Sequence, residues 1–216
     1  MKAVLLDVDG TLVQSNAAHA EAWSRALAAH GYDVPAETIR GWIGMGGDRV
    51  LRRVDSRLSD DTEPGASIEQ LRKEMFLRDF APGLVPAVGA RALLCRFGSA
   101  GMLRVIATSA KAEELSALLK AADIEDQVDL TTTSDDAERS KPDPDIINVA
   151  LAKASCASTD AIYLGDTPYD VNAAHAAGVR VVALTCGGWD RDALAEADAI
   201  YDDPADLLRD FDRLKW

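Results

Sequence analysis

The chain reads as an α/β protein: a parallel sheet with helices on both faces, interrupted once by an all-helical insert. Three observations carry this expectation. From Pro82-Gly83 onward, short apolar runs alternate with helix-period segments, which implies parallel strands joined by right-handed crossovers. Residues 14–82 show helical periodicity and no convincing strand. The runs Ala3-Val4-Leu5-Leu6 and Ala161-Ile162-Tyr163-Leu164 stop where glycine and aspartate begin, and open parallel sheets gather ligands outside such strand ends. The expected domains are a core of residues 1–13 and 83–216 and an insert of residues 14–82.

In order, the first strand is 3–6. Ala18, Ala22, Trp23, Ala26 and Leu27 recur at helical spacing until Gly31 stops the helix. A second helix is expected over 35–43, broken by Gly44, Gly46 and Gly47, and a third carries Val50, Leu51, Val54 and Leu58. The polar stretch 59–65 reads as a loop and 68–80 as a fourth helix. In the core, helices are expected near 89–97, 112–122, 144–154 and 171–177, with Gly178 as the C-terminal stop of the last. Strands fall at 103–108, 128–132, 161–164 and 180–184, with an edge strand at 199–201 and a final helix from Pro204.

With 216 residues, the chain can bury a full core and hold one domain plus an insert. Its 48% hydrophobic and 27% charged content is that of an ordinary globular protein. The apolar runs are too short for a membrane span, and Met1-Lys2 leads straight into a strand without a signal-peptide pattern. Cys95, Cys156 and Cys186 are odd in number and far apart, which suits reduced thiols in a cytoplasm and gives no zinc spacing. The net charge is −13, with 9 Lys and Arg against 11 Asp and Glu in 14–82 and 14 against 25 elsewhere. That excess argues against nucleic acid and anionic membranes as partners; solubility accounts for most of it.

Four segments, each following an apolar run or a loop, carry the chemistry. They are Asp7-Val8-Asp9-Gly10-Thr11-Leu12, Thr108-Ser109 after Leu103–Ala107, Lys141-Pro142, and Gly165-Asp166-Thr167-Pro168-Tyr169-Asp170. Alone, the first would be a strand end with an Asp-Gly turn, Thr108 a helix N-cap, and Lys141 a surface lysine. Together and in this order they resemble the haloacid dehalogenase-like hydrolase superfamily, whose motifs are DxDGT, a hydroxyl residue after a strand, a lysine, and GDxxxD. The resemblance covers essentially the whole chain. It implies a Rossmann-like core, and the insert is similar to the helical cap of the phosphoglycolate phosphatase and β-phosphoglucomutase branch.

What the resemblance implies is a magnesium-dependent phosphatase of a small phosphorylated metabolite, acting as a monomer or homodimer. Phosphoryl transfer asks a protein chiefly to position groups and offset negative charge. Asp7 is then the nucleophile that forms an aspartyl-phosphate. Magnesium ligands are Asp7, the backbone carbonyl of Asp9, and Asp166, a hard oxygen set suited to that ion. Asp9 serves as general acid and then general base. The family's phosphonate-cleaving branch has alanine at that position and its dehalogenases tyrosine, so both activities are disfavoured. Thr108 and the amides of Ser109 and Ala110 are donors to the phosphoryl group, aided by a helix start near Lys111. Lys141 is a cation for phosphate and for Asp7, and Asp170 orients Lys141 or a metal-bound water, with helix capping as its alternative role.

The glycine-rich turn from Ile43 to Asp48 is expected to face the site, with His19 and Arg49 as candidate substrate contacts. The plainer alternatives are a surface His19 and an Arg49 paired with a neighbouring acid. Gln14 stands where the family commonly has aspartate, and nothing physical explains its effect. Two other functions share these motifs: a phosphomutase of the β-phosphoglucomutase type and a catalytically silent binding module.

Overall fold

The computed structural model describes residues 1–214. Among them, β1 (Ala3–Leu6), β2 (Leu103–Ala107), β3 (Leu130–Thr132), β4 (Ala161–Gly165), β5 (Arg180–Leu184) and β6 (Ala199–Tyr201) form one sheet in the order β3-β2-β1-β4-β5-β6. Every neighbouring pair is parallel. Between β1 and the helix that precedes β2 come α1 (Asn16–Ala29), α2 (Ala36–Arg40), α3 (Gly47–Val54) and α4 (Gly65–Met75). The core helices are α5 (Ala90–Ser99), α6 (Ala112–Ala121), α7 (Asp145–Lys153), α8 (Pro168–Ala176) and α9 (Pro204–Asp210).

The central strand β1 is an unbroken apolar run because both of its faces are covered. Side chains alternate across it. Val4 and Leu6 pack into a cluster with Leu93 and Phe97 of α5, Leu115 and Leu118 of α6, and Leu207 of α9. Ala3 and Leu5 point the other way, to Ile146, Ile147 and Ala150 of α7 and Val171 and Ala174 of α8. The order of strands reverses at β1, with β2 on one side and β4 on the other, and this switch point is where such sheets bind ligands. Leu6 pairs with Ile106 and with Leu164, so Asp7, Thr108 and Asp166 all emerge at the same edge.

The helical insert has an apolar centre of its own, including Trp23, Leu27, Ile39, Val50, Leu51 and Ile68. At its root, Ala22 and Phe76 join the core cluster that holds Leu12, Val13 and Leu115.

Several boundaries differ from expectation. The second helix is only Ala36–Arg40, and residues 41–46 run as turns through Gly44 (φ +106). The third ends at Val54, where Asp55 is extended; Leu58 is buried from a following turn closed by its N–H donating to Asp55 O. The fourth starts at Gly65, three residues early, and passes into a π-helical turn, Phe76–Phe80. The helix expected at 171–177 begins at Pro168, because Thr167 and Asp170 cap each other's backbone and proline suits the first turn.

Candidate active site

Asp7, Thr108 and Asp166 leave the ends of β1, β2 and β4, and Lys141 reaches them from the loop before α7. Lys141 Nζ lies 2.7 Å from Asp7 Oδ1 and 2.8 Å from Asp170 Oδ1. Lys141 and Asp170 are 0% exposed and Asp7 3%. Burial opposes the ammonium's charge, but Asp170 and Asp7 outweigh it and hold its pKa well above the ordinary lysine value. Asp170 does double duty: its Oδ2 accepts from the Thr167 hydroxyl (2.7 Å) and from the amides of Thr167 (3.0 Å) and Asp166 (3.2 Å). The contacts of Asp170 thus run both to Lys141 and to the start of α8. The Tyr163 hydroxyl, 3.0 Å away, also touches its Oδ1.

Asp166 is framed by polar residues on one side and glycines on the other. Its oxygens accept from Thr11 Oγ1 and Asn16 Nδ2, each at 2.9 Å. A Cβ at Gly10 (φ +79) would come within 2.3 Å of Asp166 Oδ2, and one at Gly187 within 1.7 Å. Burial and then Asp170 and Asp7 push the Asp166 carboxyl well above its usual range. Burial likewise raises Asp7 to about 7, against the pull of Lys141 and with the help of Asp170 and Asp9. Oxygens of Asp7, Asp166 and Asp170 can lie within 4.8 Å of one another. Asp170 is occupied by its five donors, which leaves Asp7 and Asp166 as the pair for a cation. Two buried carboxylates short of positive charge, offering hard oxygen donors, fit a divalent ion such as magnesium.

Asp9 contacts the insert. His19 Nε2 is 2.8 Å from its Oδ1, and the Ser15 hydroxyl donates to the same oxygen. His19 stacks on Phe76 with ring centroids 3.8 Å apart, so this histidine is buried instead of lying on a helix surface. Burial pushes the Asp9 carboxyl up, and His19 and Ser15 more than offset this, leaving it below the usual range. Thr108 Oγ1 accepts from the Ala110 amide (3.1 Å), so that amide is engaged locally, and the helix expected near Lys111 begins at Ala112.

A cavity of about 380 Å³ opens onto Asp7 and Asp9. His19, Thr108, Ser109 and Ala110 line it, as does the turn from Ile43 to Asp48. Arg49 does not; it pairs with Asp143, while Arg52 and Arg72 face the cavity. Around the mouth, insert and core meet through polar contacts. The Ser109 hydroxyl donates to Gly44 O (3.1 Å) and Tyr169 to Gly41 O (2.7 Å), Ser140 donates to Asp48, and Lys73 pairs with Glu113 at 2.8 Å. Sequence reasoning assigned no role to Thr11, Ser15, Asn16 or Arg72. Only Thr11 had a signal, its place inside the first motif.

The sheet thus has its switch point at a buried cluster of acids and a lysine. The sequence pattern described as Haloacid dehalogenase-like hydrolase matches residues 4–184, and the chain belongs to that family. Validoxylamine A 7'-phosphate phosphatase of Streptomyces hygroscopicus subsp. limoneus is 29% identical over 100% of this chain and 96% of its own. Phosphoglycolate phosphatase of Rhodospirillum rubrum is 30% identical over 95% of this chain and 89% of its own. Among solved structures, a putative β-phosphoglucomutase from Bacteroides vulgatus superposes with a TM-score of 0.87 at 26% identity, covering 98% of this chain and 88% of that one. No helix among the described residues is long and apolar enough to cross a membrane.

Proposed function

We propose that the chain is a magnesium-dependent phosphatase that hydrolyses a small phosphorylated metabolite through an aspartyl-phosphate on Asp7. The observation that carries this is the contact of Asp7 with buried Lys141, beside Asp166 and below the Asp9–His19 pair. Lys141 Nζ neutralises part of the charge that Asp7 and a phosphate bring together, and Asp170 keeps that nitrogen in place. An Asp7 oxygen attacks phosphorus, and the bond to the leaving oxygen breaks as Asp9 gives that oxygen a proton. Water then attacks the phosphorus of the acyl phosphate, Asp9 takes back a proton, and inorganic phosphate leaves with Asp7 regenerated. Held by Asp7, Asp166 and the Asp9 carbonyl, magnesium would supply positive charge to the phosphoryl oxygens. Thr108 and the Ser109 amide serve as donors to the same oxygens. Residues 14–82 act as a cap that excludes water and surrounds the leaving group.

Arg49 serves in this scheme to hold cap to core through Asp143, since it stands outside the cavity wall. The test is p-nitrophenyl phosphate turnover with and without magnesium, followed by β-glucose 1-phosphate. Magnesium-dependent phosphate release supports the proposal. No turnover of either compound indicates a silent binding module, and glucose 6-phosphate formed faster than free phosphate indicates a mutase.

A further inference from the structure

The cavity wall around the Asp7 and Asp9 end is acidic. Beyond those two residues it carries seven carboxylates against three cations, Arg52, Arg72 and Lys111. A cleft lined by one sign of charge focuses its field on whatever enters. In that wall, the Arg72 guanidinium contacts Glu69 on the same helix and both oxygens of Glu114 from α6, one of them at 3.2 Å. Arg72 is 5% exposed, Glu69 8% and Glu114 1%. Two atoms of this buried cluster have no hydrogen-bond partner: Glu69 Oε2, an acceptor, and Arg72 Nε, a donor. Glu69 Oε2 lies against the glycine-rich turn, where a Cβ on Gly47 would come within 2.7 Å of it.

A buried donor and acceptor left over in one cluster cost free energy; both side chains line the cavity, and a ligand group meets the two atoms once those side chains turn toward it. A hydroxyl both donates and accepts, so it can answer Glu69 and Arg72 alike. A carboxylate or a second phosphate could accept from Arg72 Nε, but its charge would sit against Glu69 and Glu114. We infer that the group released from phosphate is polyhydroxylated and uncharged, sugar- or cyclitol-like, with Glu69 and Arg72 as its specificity determinants and a second anion rejected. This rests on the phosphatase proposal.

The experiment compares kcat/KM of the wild-type enzyme for sorbitol 6-phosphate and myo-inositol 1-phosphate with that for phosphoglycolate and fructose 1,6-bisphosphate. p-Nitrophenyl phosphate reports the chemistry alone. The better polyol monophosphate should exceed both anionic substrates by at least about tenfold, within the range set by leaving one buried polar group unpaired. Glu69→Gln should narrow that gap through KM, raising it for the polyol and lowering it for phosphoglycolate. Gly47→Ala, which presses on the same carboxylate, should narrow it too and serves if the first variant does not fold. Turnover of p-nitrophenyl phosphate with phosphoglycolate or the bisphosphate preferred overturns this inference alone, as does a gap untouched by both variants. A wild-type enzyme inert toward p-nitrophenyl phosphate overturns the phosphatase proposal beneath it.

Discussion

Asp170 and Lys141 form an ion pair at 2.8 Å in which neither side chain is exposed to solvent. The same carboxylate caps α8, so one residue ties the position of the lysine to the start of a helix. Asp170→Asn keeps the shape and removes the charge. Turnover should fall about ten- to a hundredfold, as when a supporting group of a site is lost. Stability should fall by up to about 3 kcal/mol, the lower end for a broken buried pair, because Lys141 keeps Asp7 as a partner. Kinetics with p-nitrophenyl phosphate and thermal denaturation check both, and an unchanged turnover would contradict the positioning role.

On the proposed mechanism, Asp7→Asn removes the attacking oxygen's charge and one cation ligand. Turnover should drop to background while the fold persists, and beryllium fluoride should protect the wild type but not the variant against thermal unfolding. Substantial activity in the folded variant would exclude the covalent route.

Magnesium should stabilise the protein more at pH 8 than at pH 5.5. Burial raises Asp7 to about 7 and Asp166 upward, so the folded apoprotein holds protons more tightly than the unfolded chain does. The stability carried by these groups is complete below the unfolded carboxylate range, near about 4, and is lost as pH rises through about 7. A cation binds the ionised forms and recovers that loss where they are ionised. Melting scans with magnesium and with chelator at the two pH values measure the difference; an equal gain at both would remove Asp7 and Asp166 as ligands. Calcium, with its looser coordination, should inhibit.

Gly187→Ala should act on metal affinity before it acts on anything else. The added methyl would lie 1.7 Å from Asp166 Oδ2, forcing that carboxylate off the line set by Thr11 and Asn16. The magnesium concentration for half-maximal activity should rise at least about tenfold. No change in that concentration would show that Asp166 is dispensable to the cation.

Arg49 and Asp143 should behave as one unit. Their side chains are 35% and 28% exposed, so solvent screens the pair and its coupling should be about 0.5–1 kcal/mol in a double-mutant cycle. If Arg49 works through Asp143, Asp143→Ala raises KM as Arg49→Ala does, and the double variant is no worse than either. A KM raised by Arg49→Ala alone would instead make the arginine a direct substrate contact.

The acids at the ends of β1 and β4 were legible because each interrupts an apolar run at a glycine, a local signal. Thr11, Ser15 and Asn16 were not. They are ordinary polar residues in a turn and a first helical turn, and Asn16 finds its partner 150 positions away. Glu69 and Arg72 stand at i, i+3, a spacing common on solvated helices, and their burial comes from Glu114 of α6, the Trp23 ring and the turn at Gly47, all distant in sequence. The start of α8 was misplaced for a different reason. Thr167 and Asp170 spell a capping box, but a cap at Asp170 by itself starts the helix at residue 171, three residues late. Helix ends within the insert were set by turns that return single residues such as Leu58 to the apolar centre, which periodicity does not encode.

The insert is anchored unequally at its two ends. Its root is sealed by Ala22 and Phe76 within the apolar core and by the buried Arg72–Glu114 pair, whereas Ser109, Tyr169 and Lys73 join the rest through partly exposed hydroxyl, carbonyl and ion-pair contacts. Water can replace the second kind of contact at little cost, but not the first. If the insert is the cap proposed above, it should swing about this root and not lift away. On the proposed function, dissolved salt, which screens exposed charges beyond about 8–10 Å at ordinary ionic strength, should then change how fast phosphate escapes, quite apart from how fast it is cleaved.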